Sequence, residues 1–220
     1  MSNPGASQVL RGLIGARLSE WSTGSQERVV RFYDLLVEEN SVQNLTRLTS
    51  PEDFLNGHLE DVLALLRSEL LGPSAMDLGS GGGVPGLLAA CLEERPWILV
   101  DSEKRKAEFL EKARSQLDLP HVRVFHGRGE DVLLRTSADS IVARAVGPAE
   151  RIFAWIGKCS TWNNLVLLKG PGWADEWGAF SRGRYRDKLK IGGEFEYAVG
   201  PELKQRRIVR LNRVPRGTIA

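Results

Sequence analysis

The stretch Met76–Gly86, MDLGSGGGVPG, decides the fold. A short apolar run ends in Asp77 and Leu78, and five glycines follow within the same eleven residues. Glycine supplies the backbone freedom that a tight turn needs. PGLLAACLEE then reads as a helix, so the unit is strand, glycine turn, helix. Downstream the rhythm repeats. WILVD, HVRVFHG, DSIVARAV and NLVLLKG read as strands, while SEKRKAEFLEKARSQLDL and PAERIFAWIGKC read as helices, the first capped by Ser102. Strands alternating with helices predict an α/β fold with a parallel, doubly wound sheet. GGEFEYAV and RRIVRLNRV have no helix between them and predict an antiparallel pair, bringing the sheet to seven strands.

Upstream, the chain is helical. SQVLRGLIGARLSEW and SQERVVRFYDLLVEEN place apolar residues on one face, and SPEDFLNGHLEDVLALLRSELLG continues the pattern to Gly72–Pro73. Ser50 is the expected N-cap of that third helix, with Pro51 at its first position. Two units are therefore expected: a helical extension over 1–73 and a ligand-binding core over 74–220. Apolar residues make up 42% and charged residues 26%, values of an ordinary soluble domain. No apolar run approaches the roughly 20 residues of a membrane span, and no signal peptide is evident. Cys91 and Cys159 lie far apart, as expected for reduced thiols in a cytoplasmic protein. The net charge is +2, unevenly placed. From Arg182 onward eleven Lys/Arg face four acids, so the last segment carries +7 and the first 181 residues −5. A basic end points to a polyanionic partner.

Ligands of such sheets bind beyond the carboxyl ends of the strands, at the glycine turn. Gly81-x-Gly83-x-x-Gly86 matches the dinucleotide pattern, and Asp101, 20 residues after Gly81, stands where a ribose-binding acid belongs. Asp77 favours a different ligand. A carboxylate at this strand end repels a pyrophosphate and suits the ammonium and sulfonium of S-adenosylmethionine. Pro85 removes an N–H donor that a phosphate would use. Gly129 and Glu130, after the third strand, are placed for an adenine. Arg144 and Lys169 end the fourth and fifth strands, two cations suited to a phosphate-bearing substrate.

Together these segments resemble the ribosomal small-subunit methyltransferase G family, also called glucose-inhibited division protein B. The resemblance runs through QNLTRLTSPEDFLNGHLEDVLALL, MDLGSGGGVPGLLAA, LVDSEKRKAEFLEKA, VFHGRGED, IVARAVGP and LLKG, about residues 25 to 172. It implies a Rossmann-like class I methyltransferase: a mostly parallel seven-stranded sheet with an antiparallel C-terminal strand, preceded by the helical extension. The implied reaction is methylation of guanine N7 in 16S ribosomal RNA, at the position conventionally numbered 527, with S-adenosylmethionine as cofactor. By motif, Gly79, Val84, Gly129, Glu130 and Arg144 match cofactor contacts, and Asp101 takes the ribose. Asn44, His58, Arg144 and Lys169 fall on segments that face the target base. Val84 and Gly129 depart from the commoner residues of these motifs, as does HLEDVL.

Guanine N7 carries an in-plane lone pair, so its methylation needs no catalytic base, metal or cysteine. His58, His121 and His126 are not at metal-ligand spacing, and no metal is expected. The place after the fourth strand reads ARAVGP, unlike the NPPY-type loop of adenine amino-group methyltransferases, and neither cysteine is placed for cytosine C5 chemistry. Arg11, Arg17, Arg28, Arg31 and the basic tail are candidates for phosphate contacts. The expected partners are 16S ribosomal RNA or the 30S subunit, with no membrane, and the chain is expected to act as a monomer. A nicotinamide oxidoreductase and a non-catalytic RNA-binding protein remain alternatives.

Overall fold

The computed structural model of the protein describes residues 4–215, so Arg216 of the basic tail lies outside the described residues. One seven-stranded sheet runs in the order β3-β2-β1-β4-β5-β7-β6. Its strands are β1 (Ala75–Leu78), β2 (Trp97–Asp101), β3 (Val122–His126), β4 (Ser140–Arg144), β5 (Asn164–Lys169), β6 (Leu189–Val199) and β7 (Lys204–Arg213). The first five are parallel, and β7 is antiparallel to both β5 and β6. The last strand therefore lies inside the sheet, with β6 at the edge. β6 begins at Leu189, ahead of the predicted Gly192, because the ladder continues across a bulge between Ile191 and Gly193.

Side chains of the strands alternate between two cores. Ala75, Leu99, Val142, Val166 and Ile208 face one core, and Met76, Val100, Ile141, Leu165 and Val209 face the other. Burial on both faces is what an apolar parallel sheet requires. The first face is covered by α1 (Pro4–Ile14), α2 (Thr23–Gln43), α3 (Pro51–Phe54), α4 (Glu60–Arg67), α5 (Gly86–Ala90) and α6 (Lys104–Gln116). The second is covered by α7 (Gly129–Leu133), α8 (Ala149–Ile156) and α9 (Trp173–Phe180).

Several boundaries differ from the sequence expectation. Ser50 does cap α3, its Oγ accepting from Asp53 N–H at 3.1 Å. The helix expected to reach Gly72 is instead interrupted by a π-helical turn, Leu55–Leu59, and α4 ends at Arg67. The cap of α6 is Glu103 rather than Ser102, because Asp101 Oδ1 accepts Glu103 N–H at 2.9 Å and turns the chain there. Two further helices, α7 and α9, are not among those the sequence predicts.

Gly86 closes the turn against β1 and β2. A Cβ there would lie 2.6 Å from Leu99 Cδ2 and 2.8 Å from Asp77 Oδ2. Gly86→Ala is therefore expected to destabilise the protein by about 1–3 kcal/mol, the range of overpacking in a tight core. Urea unfolding checks this, and an unchanged midpoint contradicts the close approach.

Candidate functional site

The carboxyl ends of β1, β2 and β4 open onto a crevice with two lobes. The larger, about 450 Å³, is lined by the glycine turn, Asp101, Glu103, Lys106, His58 and Arg144. The smaller, about 140 Å³, lies over Leu78, Val100, Gly129, Glu130 and Trp155. Gly79, Ser102 and Val146 border both, so one elongated ligand can span them.

The glycine turn spends most of its N–H groups on the protein itself. Gly79 and Ser80 donate to Val100 O at 2.8 and 3.0 Å, and Gly83 donates to Ser80 O at 2.8 Å. Gly81 donates to Asp101 Oδ2 and Gly86 to Asp77 Oδ2, each at 2.8 Å. Pro85 has no N–H, so only Gly82 and Val84 of the turn are left to donate. A pyrophosphate needs several such donors converging at a helix N-terminus; this turn offers few, above two carboxylates.

Asp77 departs from its expected place beside the ligand. It is 1% exposed and lies beneath the turn, outside the lining of either lobe. Its Oδ1 is buried without a hydrogen-bond partner. Burial pushes its pKa up to about 7, against the opposing Gly86 N–H. Asp101 does line the crevice, although both its oxygens already accept backbone N–H groups from Gly81 and Glu103. An ionised carboxylate has about four lone-pair sites, so acceptor capacity remains. Gly79, Gly81 and Val84 line the larger lobe, and Gly129 and Glu130 the smaller.

The larger lobe is also walled by Leu36 of α2, by Leu45 and Thr46, and by His58 of the π-helical segment, with α4 behind it. His58, 6% exposed, shares a hydrogen bond of 2.9 Å between Nε2 and Thr46 Oγ1, while Nδ1 is buried without a partner. Burial first, then the cations of Arg144 and Arg206, push its pKa down to about 3. The imidazole is neutral at any physiological pH.

Arg144 crosses from β4 to this wall. Its Nη2 donates to Gly57 O at 2.8 Å, its Nε lies 3.3 Å from Asp61 Oδ2, and its Nη1 is buried without a partner. Burial pulls its pKa down, and Asp61 opposes that. The Asp61 carboxylate also accepts from Arg206 Nη1 at 2.6 Å and from Tyr197 Oη at 2.8 Å. Burial and Asp61 push the Tyr197 phenol up, so it stays a donor.

Two candidates lie outside the crevice. Asn44 is exposed and ends α2 in the left-handed conformation, φ 53°, its N–H donating to Asn40 O. Lys169 Nζ is bound to Glu176 at 2.8 Å and donates to Gly147 O at 3.1 Å. Glu176 in turn accepts Ala149 N–H, so the cluster fixes the turn between β4 and α8. The N-terminal arginines are also occupied. Arg11 pairs with Glu27 and Arg17 with Glu60, while Arg28 and Arg31 donate to the carbonyls of Cys91 and Gln116. Both cysteines are buried and line neither lobe.

Sequence reasoning missed Asp61, Tyr197, Arg206, Thr46 and Trp155. One signal was present: Asp61 sits three residues after His58 and directly before the apolar run VLALL. Its partners lie more than 80 residues away, which no local pattern reports.

Two outcomes follow from this wall. Asp61→Asn strands two partly buried guanidiniums and is expected to cost about 1–3 kcal/mol in urea unfolding; a loss below measurement error counts against the hub. For His58, the unfolded chain titrates at its ordinary value and the folded one near 3. Its contribution is complete above about pH 6.5 and is lost as pH falls towards 3, since the unfolded chain takes up the proton first. The stability difference between the wild type and His58→Gln is therefore expected to shrink from pH 7 to pH 4. An identical difference at both pH values rejects the buried neutral imidazole.

A family model described as GidB, rRNA small subunit methyltransferase G, matches residues 25–190. The ribosomal RNA small subunit methyltransferase G of Nitrosomonas europaea is 37% identical over 129 residues, 58% of this chain and 59% of that protein, so the chain covers less than two thirds of that relative. The Neisseria gonorrhoeae protein of the same name is 35% identical over 175 residues, 79% of this chain and 81% of its own. Among solved structures, a mutant of MtNAS in complex with S-adenosylmethionine aligns with a TM-score of 0.55 at 20% identity, over 82% of this chain and 72% of that one. That likeness is one of fold. Every residue lining the two lobes falls inside the family match, and the chain belongs to the ribosomal RNA small subunit methyltransferase G family.

Proposed function

We propose that the protein transfers the methyl group of S-adenosylmethionine to N7 of a guanine in 16S ribosomal RNA. The observation that carries this reading is the glycine turn, which spends all but two of its N–H groups within the protein, beside a lobe lined by the acids Asp101 and Glu103. Such a turn is hostile to a pyrophosphate and hospitable to a cationic ligand. That argument also weighs against the nicotinamide alternative.

When bound, the cofactor supplies an electrophilic methyl on a sulfonium. Guanine N7 presents an in-plane lone pair to it; the N–C bond forms as the C–S bond breaks, and the electron pair stays on sulfur. No proton leaves the base, so the neutral His58 has none to take. The protein's task is alignment, an effect that can supply roughly 7–11 kcal/mol. Arg144 Nη1, the unpaired nitrogen of an otherwise anchored guanidinium, is suited to donate to guanine O6 and leave N7 free. Asp101 would hold the ribose hydroxyls and Gly129 with Glu130 would border the adenine, a reading supported by their places in the larger and the smaller lobe. Asn44 and Lys169 act on the turns beside the crevice rather than on reacting atoms.

The test is incubation with labelled S-adenosylmethionine and 30S subunits, or their protein-free RNA, lacking the modification, followed by mapping of the label. Label at one guanine N7 is expected; none, or label on an exocyclic amine, defeats the reading. Arg144→Ala is expected to lower turnover at saturating donor and RNA roughly a hundredfold, as for loss of one well-placed donor. Full turnover refutes the orienting role.

A further inference from the structure

A second cleft lies away from the crevice. It lies at the opposite end of the strands, where residues 158–163 enter β5 and where β7 ends, and has a volume of about 620 Å³. A smaller cavity of about 330 Å³ adjoins it, sharing Lys158 and Arg213. Across the two, the lining carries Lys158, Arg184, Lys188, Arg210 and Arg213 and no acidic residue. The crevice, by contrast, mixes Asp101, Glu103 and Glu130 with its cations.

Among the described residues of the basic end, Arg184, Lys188 and Arg210 enter no ion pair and line this trough, while Arg182 and Lys190, also outside any ion pair, lie beyond it. All four acids after Arg182 are taken by neighbours: Asp187 by Arg186, Glu202 by Lys204, and Glu194 and Glu196 by Arg207. Arg206 is spent on Asp61. Among the described residues, Lys158 enters no ion pair either. The aromatic faces nearby are already covered, with Arg213 over Trp162 at 4.7 Å and Arg184 over Tyr185 at 4.6 Å. A base therefore has no ring to stack on, whereas guanidinium and ammonium groups remain for phosphate oxygens.

We propose that this trough binds the phosphate backbone of the RNA substrate, as a second contact at the end of the strands away from the crevice. β5 alone spans about 17 Å between the two ends. A contact so far from the reacting base sets affinity and register and carries no sequence information. The proposal rests on the ribosomal RNA reading for the identity of its ligand.

The test uses the full chain with Lys158→Ala, Arg184→Ala and Lys188→Ala combined, three exposed positions outside the crevice. Binding to protein-free 16S ribosomal RNA is measured over a salt series, beside methyl transfer to 30S subunits. The expected result is roughly tenfold weaker RNA binding near 0.1 M salt. The salt slope should become shallower by about one per phosphate contact removed, with turnover at saturating RNA retained. Unchanged affinity and slope overturn the proposal. Weaker binding to the 30S subunit but not to free RNA also overturns it, and points to a ribosomal protein as partner. If the triple variant fails to match the wild-type unfolding midpoint, Lys188→Glu alone is read the same way. A wild type that binds RNA yet transfers no methyl group would defeat the methyl-transfer reading while leaving the salt slopes to decide the trough.

Discussion

Two buried carboxylates, Asp77 and Asp101, fold the glycine turn onto the strand ends, and the character of the site follows from that constraint. Each accepts one N–H of the turn at 2.8 Å, so the loop is held by the protein before any ligand arrives. A turn held in this way has few donors left, and the helix behind it is only five residues long. The same sheet architecture elsewhere serves phosphates by the opposite arrangement, with free N–H groups at the start of a long helix. Whether a glycine-rich turn greets an anion or a cation depends on where its donors are already spent.

Asp61 does for the helical wall what those carboxylates do for the turn. It draws Arg144 from the parallel half of the sheet, and Arg206 with Tyr197 from the antiparallel half, onto one helix of the N-terminal extension. Three distant segments thus share a single buried charge. Taking one partner away leaves the others desolvated and unpaired, a heavier loss than the net worth of the pair. The arrangement also leaves Arg144 with two of its nitrogens engaged and the third, Nη1, buried without a partner.

Much of this was legible before any coordinates. The strand and helix rhythm, the glycine turn, Asp101, Gly129 and Arg144 all lie in short segments whose spacing carries their meaning, and each lines the crevice or forms the expected element. What escaped was whatever depends on contacts remote in sequence. Asp77 was placed by charge alone, but a strand residue facing the core side of a turn braces it instead. Lys169 looked like a site cation because it ends a strand, yet Glu176 of α9, seven residues on, claims it. The break at Leu55–Leu59 has no proline or paired glycine to announce it. The basic tail was visible as a composition, but only the pairing of each acid separates the spent cations from the unspent ones.

The place of β7 bears on the order in which the site comes into being. Because this strand slots between β5 and β6, the sheet is not contiguous until residues 204–213 have been made. A nascent chain that has reached Lys169 already carries every residue that lines the two lobes. It does not yet possess Arg206, so the charge that steadies Arg144 lacks its strongest counterpart. During synthesis, the residues of the pocket therefore precede those that complete the Asp61 cluster, and the last two strands bring its Tyr197 and Arg206.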